Sequence, residues 1–315
     1  MMRIAVMGAG SIGGYFGGML ARGGNQITLI ARGDNLAAIS QHGLKVIRDN
    51  EEFTVRCDVT DDPKQVGTVE LALLTVKAYQ NEQAIPALSP LVGPDTTILC
   101  LQNGIDTYQD AVAAFGVDRV LPGAAYIEAG RQGPGVVTQT GSGVRIAFGE
   151  QDGRNSDRGN EIADLLKRSG IAAQFEADIR KTLWTKFLFI ATLAGVTTMT
   201  RESLDRLMPR QEWRAVIIGC MEEIERASRA SGVNLDAEVV QDTLSYMVGS
   251  IDEMHASMHS DIVAGRPLEL EALNGAVVRA GKDTNVPTPI NDVIYAMLKP
   301  YMLGNFDMPG TFDKS

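Results

Sequence analysis

Lys186 opens an uncharged run from Phe187 to Thr200, within the segment LWTKFLFIATLAGVTTMTR. Burying an ammonium is costly unless it is paired or its pKa falls. Taken alone, Lys186 reads as a snorkelling side chain, its stem on apolar neighbours and its head in water. The other reading is a proton donor held for chemistry. Near the N-terminus, RIAVMGAGSIGGYFGG places Gly8, Gly10 and Gly13 in a G-x-G-x-x-G pattern. It directly follows a strand-like run and begins a helix-like one, the context in which this pattern binds a dinucleotide. Gly8 permits the tight turn, Gly10 lets backbone approach a pyrophosphate, and Gly13 lets helix and strand pack closely. The loop Gly8, Ala9, Gly10, Ser11, Ile12 and Gly13 then offers helix N-terminal N–H groups to the phosphates.

An NAD site usually carries Asp or Glu at the end of the second strand, for the ribose 2′-OH. Here QITLIARGDN offers Ala31 and Arg32, with no acid until Asp34. Arg32 suits a 2′-phosphate, so the cofactor reading is NADP with Arg32 as its contact. Ligands of a doubly wound sheet sit outside the carboxyl ends of its strands. LALLTVKAYQ puts Lys77 at one such end, and TILCLQNGID puts Asn103 and Gly104 at the next. Singly these are a solvated lysine and an Asn-Gly turn. With the glycine loop they line the crevice where a nicotinamide belongs. His255 and His259 have the i, i+4 spacing of helical metal ligands. No H-E-x-x-H pattern or obvious third ligand accompanies them, so the reading is a solvated helix face and no metal.

The groups above must be positioned by two kinds of element. The runs RIAVM (3–7), QITLI (26–30), VELALLTV (69–76), TTILCL (96–101) and DRVLPGA (118–124) are short and mostly apolar. Such strands suit a parallel sheet covered on both faces, and their alternation with helical segments implies right-handed βαβ units. GVVTQT (135–140) and VRIAFGE (144–150), separated by GSG, are expected as an edge hairpin. RGNEIADLLKRSG (158–170) reads as an amphipathic helix and AAQFEAD (172–178) as a last strand. From 179 to about 303 only helical patterns remain, including 210–232 and a helix starting at Thr288 and Pro289. Trp184 and Trp213 read as packing anchors. The fold class expected is α/β: an N-terminal Rossmann doubly wound parallel sheet over 1–177, followed by an all-α domain over 178–315.

Composition narrows the partners. The 315 residues carry a net charge of −10, which argues against a nucleic-acid surface. No apolar run is expected to reach the roughly 20 residues that span a bilayer. The start MMRIAVMGAG reads as a first strand rather than a signal peptide. Cys57, Cys100 and Cys220 are odd in number and widely spaced, and read as free thiols in a reducing compartment. The expectation is a cytoplasmic protein with neither nucleic-acid nor membrane partners.

GAGSIGG, Arg32, TVKAYQ, LQNGID, LWTKF and SMHSDIVAGRPLELEALNG together resemble the ketopantoate reductases (2-dehydropantoate 2-reductases), nearly end to end. The last block supplies Ser257, Met258, Asp261, Glu269, Asn274 and Gly275. The resemblance implies a helical domain like that of 6-phosphogluconate dehydrogenase after the Rossmann domain, with the site in the cleft between them. It implies NADPH-dependent reduction of 2-dehydropantoate, a small-molecule 2-keto acid, in pantothenate and coenzyme A synthesis. Lys186 falls on the family's catalytic lysine, the general acid, and Glu269 on its catalytic partner, which also touches the cofactor. Lys77 and Asn103 would contact the nicotinamide ribose and hold substrate. Ser257 would bind the substrate carboxylate, and Ala129, in IEAGRQG, would contact NADP through its backbone.

The chain departs from the family at the two asparagines four and eight residues after the lysine, which are Ile190 and Ala194 here. Both lie on the lysine's helical face. A lost buried polar contact costs about 0.5–1.5 kcal/mol. A less hydroxylated or bulkier 2-keto acid is therefore the alternative substrate; Thr197 and Thr198 are candidate replacement hydroxyls, against the plainer reading that they cap or bend the helix. An NADP-binding sensor without turnover is the other class of function. The pairing of Lys186 with Glu269 argues against it, because a binder has no need of an acid there. Thirteen methionines suit the core or a subunit interface, and a homodimer is compatible with them.

Overall fold

Uncharged β-rich runs build the centre of the first unit in the computed structural model, which describes residues 1–48, 51–249 and 253–305. This unit comprises Met1–Asn103 and Thr107–Thr182. Its elements are β1 (Arg3–Met7), α1 (Ser11–Arg22), β2 (Gln26–Ile30), α2 (Gly33–His42), β3 (Leu44–Arg48), β4 (Glu51–Val55), β5 (Asp58–Thr60) and β6 (Leu71–Leu74). There follow α3 (Asn81–Leu88), β7 (Thr97–Cys100), α4 (Gln109–Phe115), β8 (Val120–Gly133), β9 (Val136–Phe148), α5 (Asp157–Arg168) and β10 (Ala172–Phe175). The sheet runs β4-β3-β9-β8-β7-β6-β1-β2-β5, with β10 beside β9. The parallel neighbours β5-β2-β1-β6-β7-β8, counted among themselves in chain order, give 3-2-1-4-5-6. That is the dinucleotide-binding order, and its switch point lies between β1 and β6. Every residue of β6 and β7 is buried, as a strand covered on both faces requires.

The edge hairpin expected within 135–150 does not form. Val136–Phe148 is one strand, antiparallel to β8, with pairs from Gly123↔Phe148 to Gly133↔Val136. The chain reverses earlier, at Pro134 and Gly135, where Gly135 has φ +71. The GSG segment instead leaves the ladder: Tyr126 pairs with Arg145 and Glu128 with Thr140, so Gly141–Val144 oppose Ile127 alone. Gly141 and Gly143, at φ +74 and +84, take up this bulge without turning the strand back.

The second unit comprises Gly104–Asp106 and Leu183–Ser315. The division falls inside α6 (Ile179–Thr200), which is followed by α7 (Leu204–Leu207), α8 (Gln211–Ala230), α9 (Val239–Gly249), α10 (Ser257–Val263), α11 (Asn274–Thr284) and α12 (Pro289–Leu298). Its core gathers Phe187, Leu188, Ala191, Ile217, Met221, Val277 and Ile294. Trp184 meets Phe187 edge to face with ring centroids 5.7 Å apart, and Trp213 packs on the same core. The 22-residue α6 has mean hydropathy 1.2 over its most apolar window, enough by length and composition to cross a membrane. Arg180, Lys181 and Lys186 interrupt it, so the uncharged run remains 187–200, and 67% of the window is buried inside the protein, which is the setting of a core helix.

Candidate active site

The glycine loop is shaped by close approaches. Gly8 has φ +102, and a Cβ there would lie 2.7 Å from Val76 Cγ1. A Cβ at Gly13 would lie 2.1 Å from the Gly8 carbonyl oxygen and 2.4 Å from Thr75 Oγ1. Both positions therefore exclude a side chain. Thr75 Oγ1 donates to the carbonyls of Met7 and Gly8, at 3.0 and 2.9 Å, and so ties the loop to the end of β6. The N–H groups of Gly8 and Ala9 donate to the Ile30 carbonyl at the end of β2. Gly10 differs from its neighbours, because a Cβ there would meet nothing within 4 Å. It precedes α1, whose N-terminus receives no side-chain cap and has no acid in its first turn. Ser11 and Ile12, the first residues of α1, are half-buried. Open space at Gly10, uncapped N–H groups and a first turn without acidic residues fit a pyrophosphate.

Arg32 is exposed at the start of α2, and its Nη1 donates to Gln83 Oε1 at 3.3 Å. Asp34 is exposed in the first turn of the same helix. Lys77 and Asn103 follow the paired residues Leu74↔Cys100, so the parallel register sets them at adjacent strand ends. Both are half-buried. Ala129 lies elsewhere, opposite Gln139 in the antiparallel arm of β8 and past Pro122, the last β8 residue paired with β7.

In the second unit Lys186 is half-buried on α6. Desolvation of its ammonium pulls the pKa down to about 8, and the Glu269 carboxylate pushes back upward. Glu269 is 5% exposed, in the turn before α11. The two charges are thus close enough to interact in a poorly hydrated setting. Ser257 is exposed at the first residue of α10. Met258 is fully buried, and Asp261 takes an ion pair from Arg266 at 2.8 Å. Asn274 is fully buried and donates to the Ala191 carbonyl of α6 at 3.3 Å. A Cβ at Gly275 would lie 2.9 Å from Glu271 Oε2.

Thr197 and Thr198 are fully buried, so neither hydroxyl faces solvent. Thr197 Oγ1 donates to the Leu193 carbonyl at 2.7 Å and accepts from the Ala256 N–H, tying α6 to the residue before Ser257. Ala194 is sealed in the core, whereas Ile190 is half-exposed one turn from Lys186. Beside it Phe189 packs edge-on against Tyr246, centroids 5.4 Å apart. The rings of His255 and His259 also meet edge-on, at 4.7 Å. Among the described residues no group of three or more His, Cys, Asp or Glu is placed to hold a metal ion. All three cysteines are free, and burial pushes the thiols of Cys100 and Cys220 up to about 12.

Four supporting residues escaped the sequence reading. Thr75 is one. Asn35 is another, its Nδ2 donating to the Ala9 carbonyl at 2.7 Å while its Oδ1 accepts from the Gly135 N–H. Gln102 and Asn81, bonded to each other at 2.7 Å, lie between the loops of β6 and β7. Local spacing carries no sign of Asn35, whose partners lie far along the chain. Thr75 and Gln102 do stand at strand ends within the quoted runs.

The family model "Ketopantoate reductase PanE/ApbA" matches residues 4–153, and its C-terminal counterpart matches residues 178–302. The 2-dehydropantoate 2-reductase of Lactococcus lactis subsp. lactis is 30% identical over 304 residues, covering 93% of this chain and 96% of the relative. The solved 2-dehydropantoate 2-reductase of Geobacter metallireducens superposes with a TM-score of 0.89 at 28% identity, covering 94% of this chain and 99% of that one. D-mandelate dehydrogenase, solved as a ternary structure with NADH and anilino(oxo)acetate, gives 0.87 at 25%, covering 96% and 98%.

Proposed function

The chain belongs to the ketopantoate reductase family, and on that premise we propose that it reduces 2-dehydropantoate to pantoate with NADPH, in the cytoplasm, as a step toward pantothenate and coenzyme A. The supporting observation is Lys186, desolvated to a pKa of about 8 and restrained from falling further by Glu269. An acid with a pKa near the working pH is the efficient kind. The dihydronicotinamide, when bound, supplies a hydride to the keto carbon. Lys186 donates its Nζ proton to the keto oxygen as negative charge develops there, which closes the balance to an alcohol. Glu269 keeps the ammonium form populated. Ser257, exposed at the start of α10, takes the substrate carboxylate. The loop from Gly8 to Gly13 cradles the pyrophosphate, and Lys77 and Asn103 hold the rest of the cofactor and the substrate.

Arg32 is assigned to the 2′-phosphate. A charge-assisted hydrogen bond is worth about 1.5–3 kcal/mol, so Arg32→Ala should weaken NADPH binding roughly 10- to 100-fold. NADH binding should stay within about twofold. Equal losses for both cofactors, read by fluorescence titration, would remove Arg32 from the phosphate site.

A second reading rests on Ile190 and the Phe189–Tyr246 pair, which place apolar side chains three and four residues along α6 from Lys186. Similarity to D-mandelate dehydrogenase supports it. The substrate is then a 2-keto acid with an apolar or aromatic substituent. Steady-state NADPH oxidation decides between the readings. A kcat/KM for 2-dehydropantoate of about 10⁴ M⁻¹s⁻¹ or more supports the first. Faster turnover of its deoxy analogue or of phenylglyoxylate supports the second. Tight NADPH binding with no turnover of any 2-keto acid would sink both and leave a sensor.

A further inference from the structure

We infer that Gln102 and Asn81 are positioning residues that lock the loops carrying Lys77 and Asn103 in one mutual register. The inference rests on the dinucleotide reading of the first unit. The ladder between β6 and β7 ends with Leu74↔Cys100 and one further bond, Leu101 N–H to the Leu74 carbonyl. Beyond it the backbone pairing no longer fixes either loop. Gln102 and Asn81, each 6% exposed, take over. Gln102 Nε2 donates to the Val76 carbonyl at 2.9 Å and to Asn81 Oδ1 at 2.7 Å. Val76 precedes Lys77, and Gln102 itself precedes Asn103. One amide nitrogen therefore bridges the chain just before each of the two candidate cofactor residues. Asn81, the first residue of α3, turns its Nδ2 to the Thr107 carbonyl at 3.3 Å and to Asp110 Oδ2 at 2.7 Å. The loop after β7 is thus held at both ends.

The direction of this relay is set by its termini. The Asp110 carboxylate and the Val76 carbonyl can only accept. Asn81 must then present its nitrogen to Asp110 and its oxygen to Gln102, and Gln102 must present its nitrogen to both acceptors. Turning either amide over would set oxygen against oxygen inside the protein. The glycine loop packs on Val76 but has braces of its own, through Thr75 and Asn35. Breaking the Gln102 relay should therefore disturb the nicotinamide end of the crevice more than the pyrophosphate end.

The test compares the binding of NADPH with that of 2′-phospho-ADP-ribose, which lacks the nicotinamide. Gln102→Met keeps the shape of the side chain and removes both bonds. It should weaken NADPH about three- to tenfold while 2′-phospho-ADP-ribose binding stays within about twofold. Asn81→Asp sets two carboxylates together and should give the same asymmetry. Combining it with Asp110→Asn restores a donor opposite an acceptor and should recover most of the loss. Parallel loss of both ligands, no change in either, or failure of the swap to recover NADPH binding would overturn the inference. A wild-type protein that binds neither ligand would overturn the dinucleotide reading itself, and the inference with it.

Discussion

Lys186→Met should lower kcat about 10³-fold, within the usual contribution of a positioned acid, while NADPH binding stays within a few-fold. The pH profile makes the assignment specific. An acid must carry its proton to act. With a pKa of about 8, the ammonium form of Lys186 dominates at neutral pH and disappears above it. The log of kcat/KM should therefore be level near pH 7 and fall with a slope of −1 above about pH 8. An ordinary lysine would hold the rate level for about two further pH units. Glu269 acts against desolvation, so Glu269→Gln should move the falling limb to lower pH, never higher. Lys186→Arg retains the positive charge but holds its proton across the whole range, so whatever activity survives should lack the limb. A wild-type profile flat to pH 10, or a Lys186→Met enzyme within about tenfold of wild type, would remove Lys186 from the chemistry.

How legible this was in the sequence depends on the reach of each interaction. The glycine loop, Lys77 and Asn103 were readable because strand, turn and helix follow one another locally, and strand order then sets those ends side by side. Lys186 stood out as one charge in an uncharged run. Glu269, whose charge acts on Lys186, entered only through the family resemblance, because an interaction between distant residues leaves no spacing to read. The same holds for Gln102 with Asn81 and for Asn35 with Ala9. The strands β3, β4 and β5 went unseen for a different reason. LKVIR, EEFTV and DVT are short, partly charged and partly exposed, and they join the sheet at or near its edges through one another, β9 and β2. Glycines misled in the β8–β9 arm, since GSG signals a positive-φ backbone without saying whether it turns a chain or bulges it.

The largest expected stability effect also lies in a contact the sequence hides. Thr288 and Pro289 mark the start of α12, and Pro289 does occupy its first turn, but the Thr288 side chain makes no cap bond. The cap comes from α8. Glu223, 2% exposed, accepts from the Ile290 and Asn291 N–H groups at 2.8 and 3.0 Å and from Asn291 Nδ2 at 2.8 Å. A carboxylate at a helix N-terminus also gains from the helix dipole. Asn291 Oδ1 accepts in turn from Asn274 Nδ2 at 3.0 Å, and Asn274 reaches the Ala191 carbonyl on the helix of Lys186. Glu223→Ala removes three hydrogen bonds and leaves the part-buried Ile290 N–H and the buried Asn291 N–H unpaired, while Asn291 Nδ2 keeps only its 3.4 Å bond to the Cys220 carbonyl; at about 1–3 kcal/mol for each lost partner, with partial relaxation, the expected cost is about 3–5 kcal/mol. Calorimetry should show the melting temperature roughly 10 °C lower. Glu223→Gln retains one acceptor oxygen and should lose less than half as much. A Glu223→Ala protein melting within about 2 °C of wild type would mean that water or a shifted side chain satisfies α12 instead, and that the network does not hold α6.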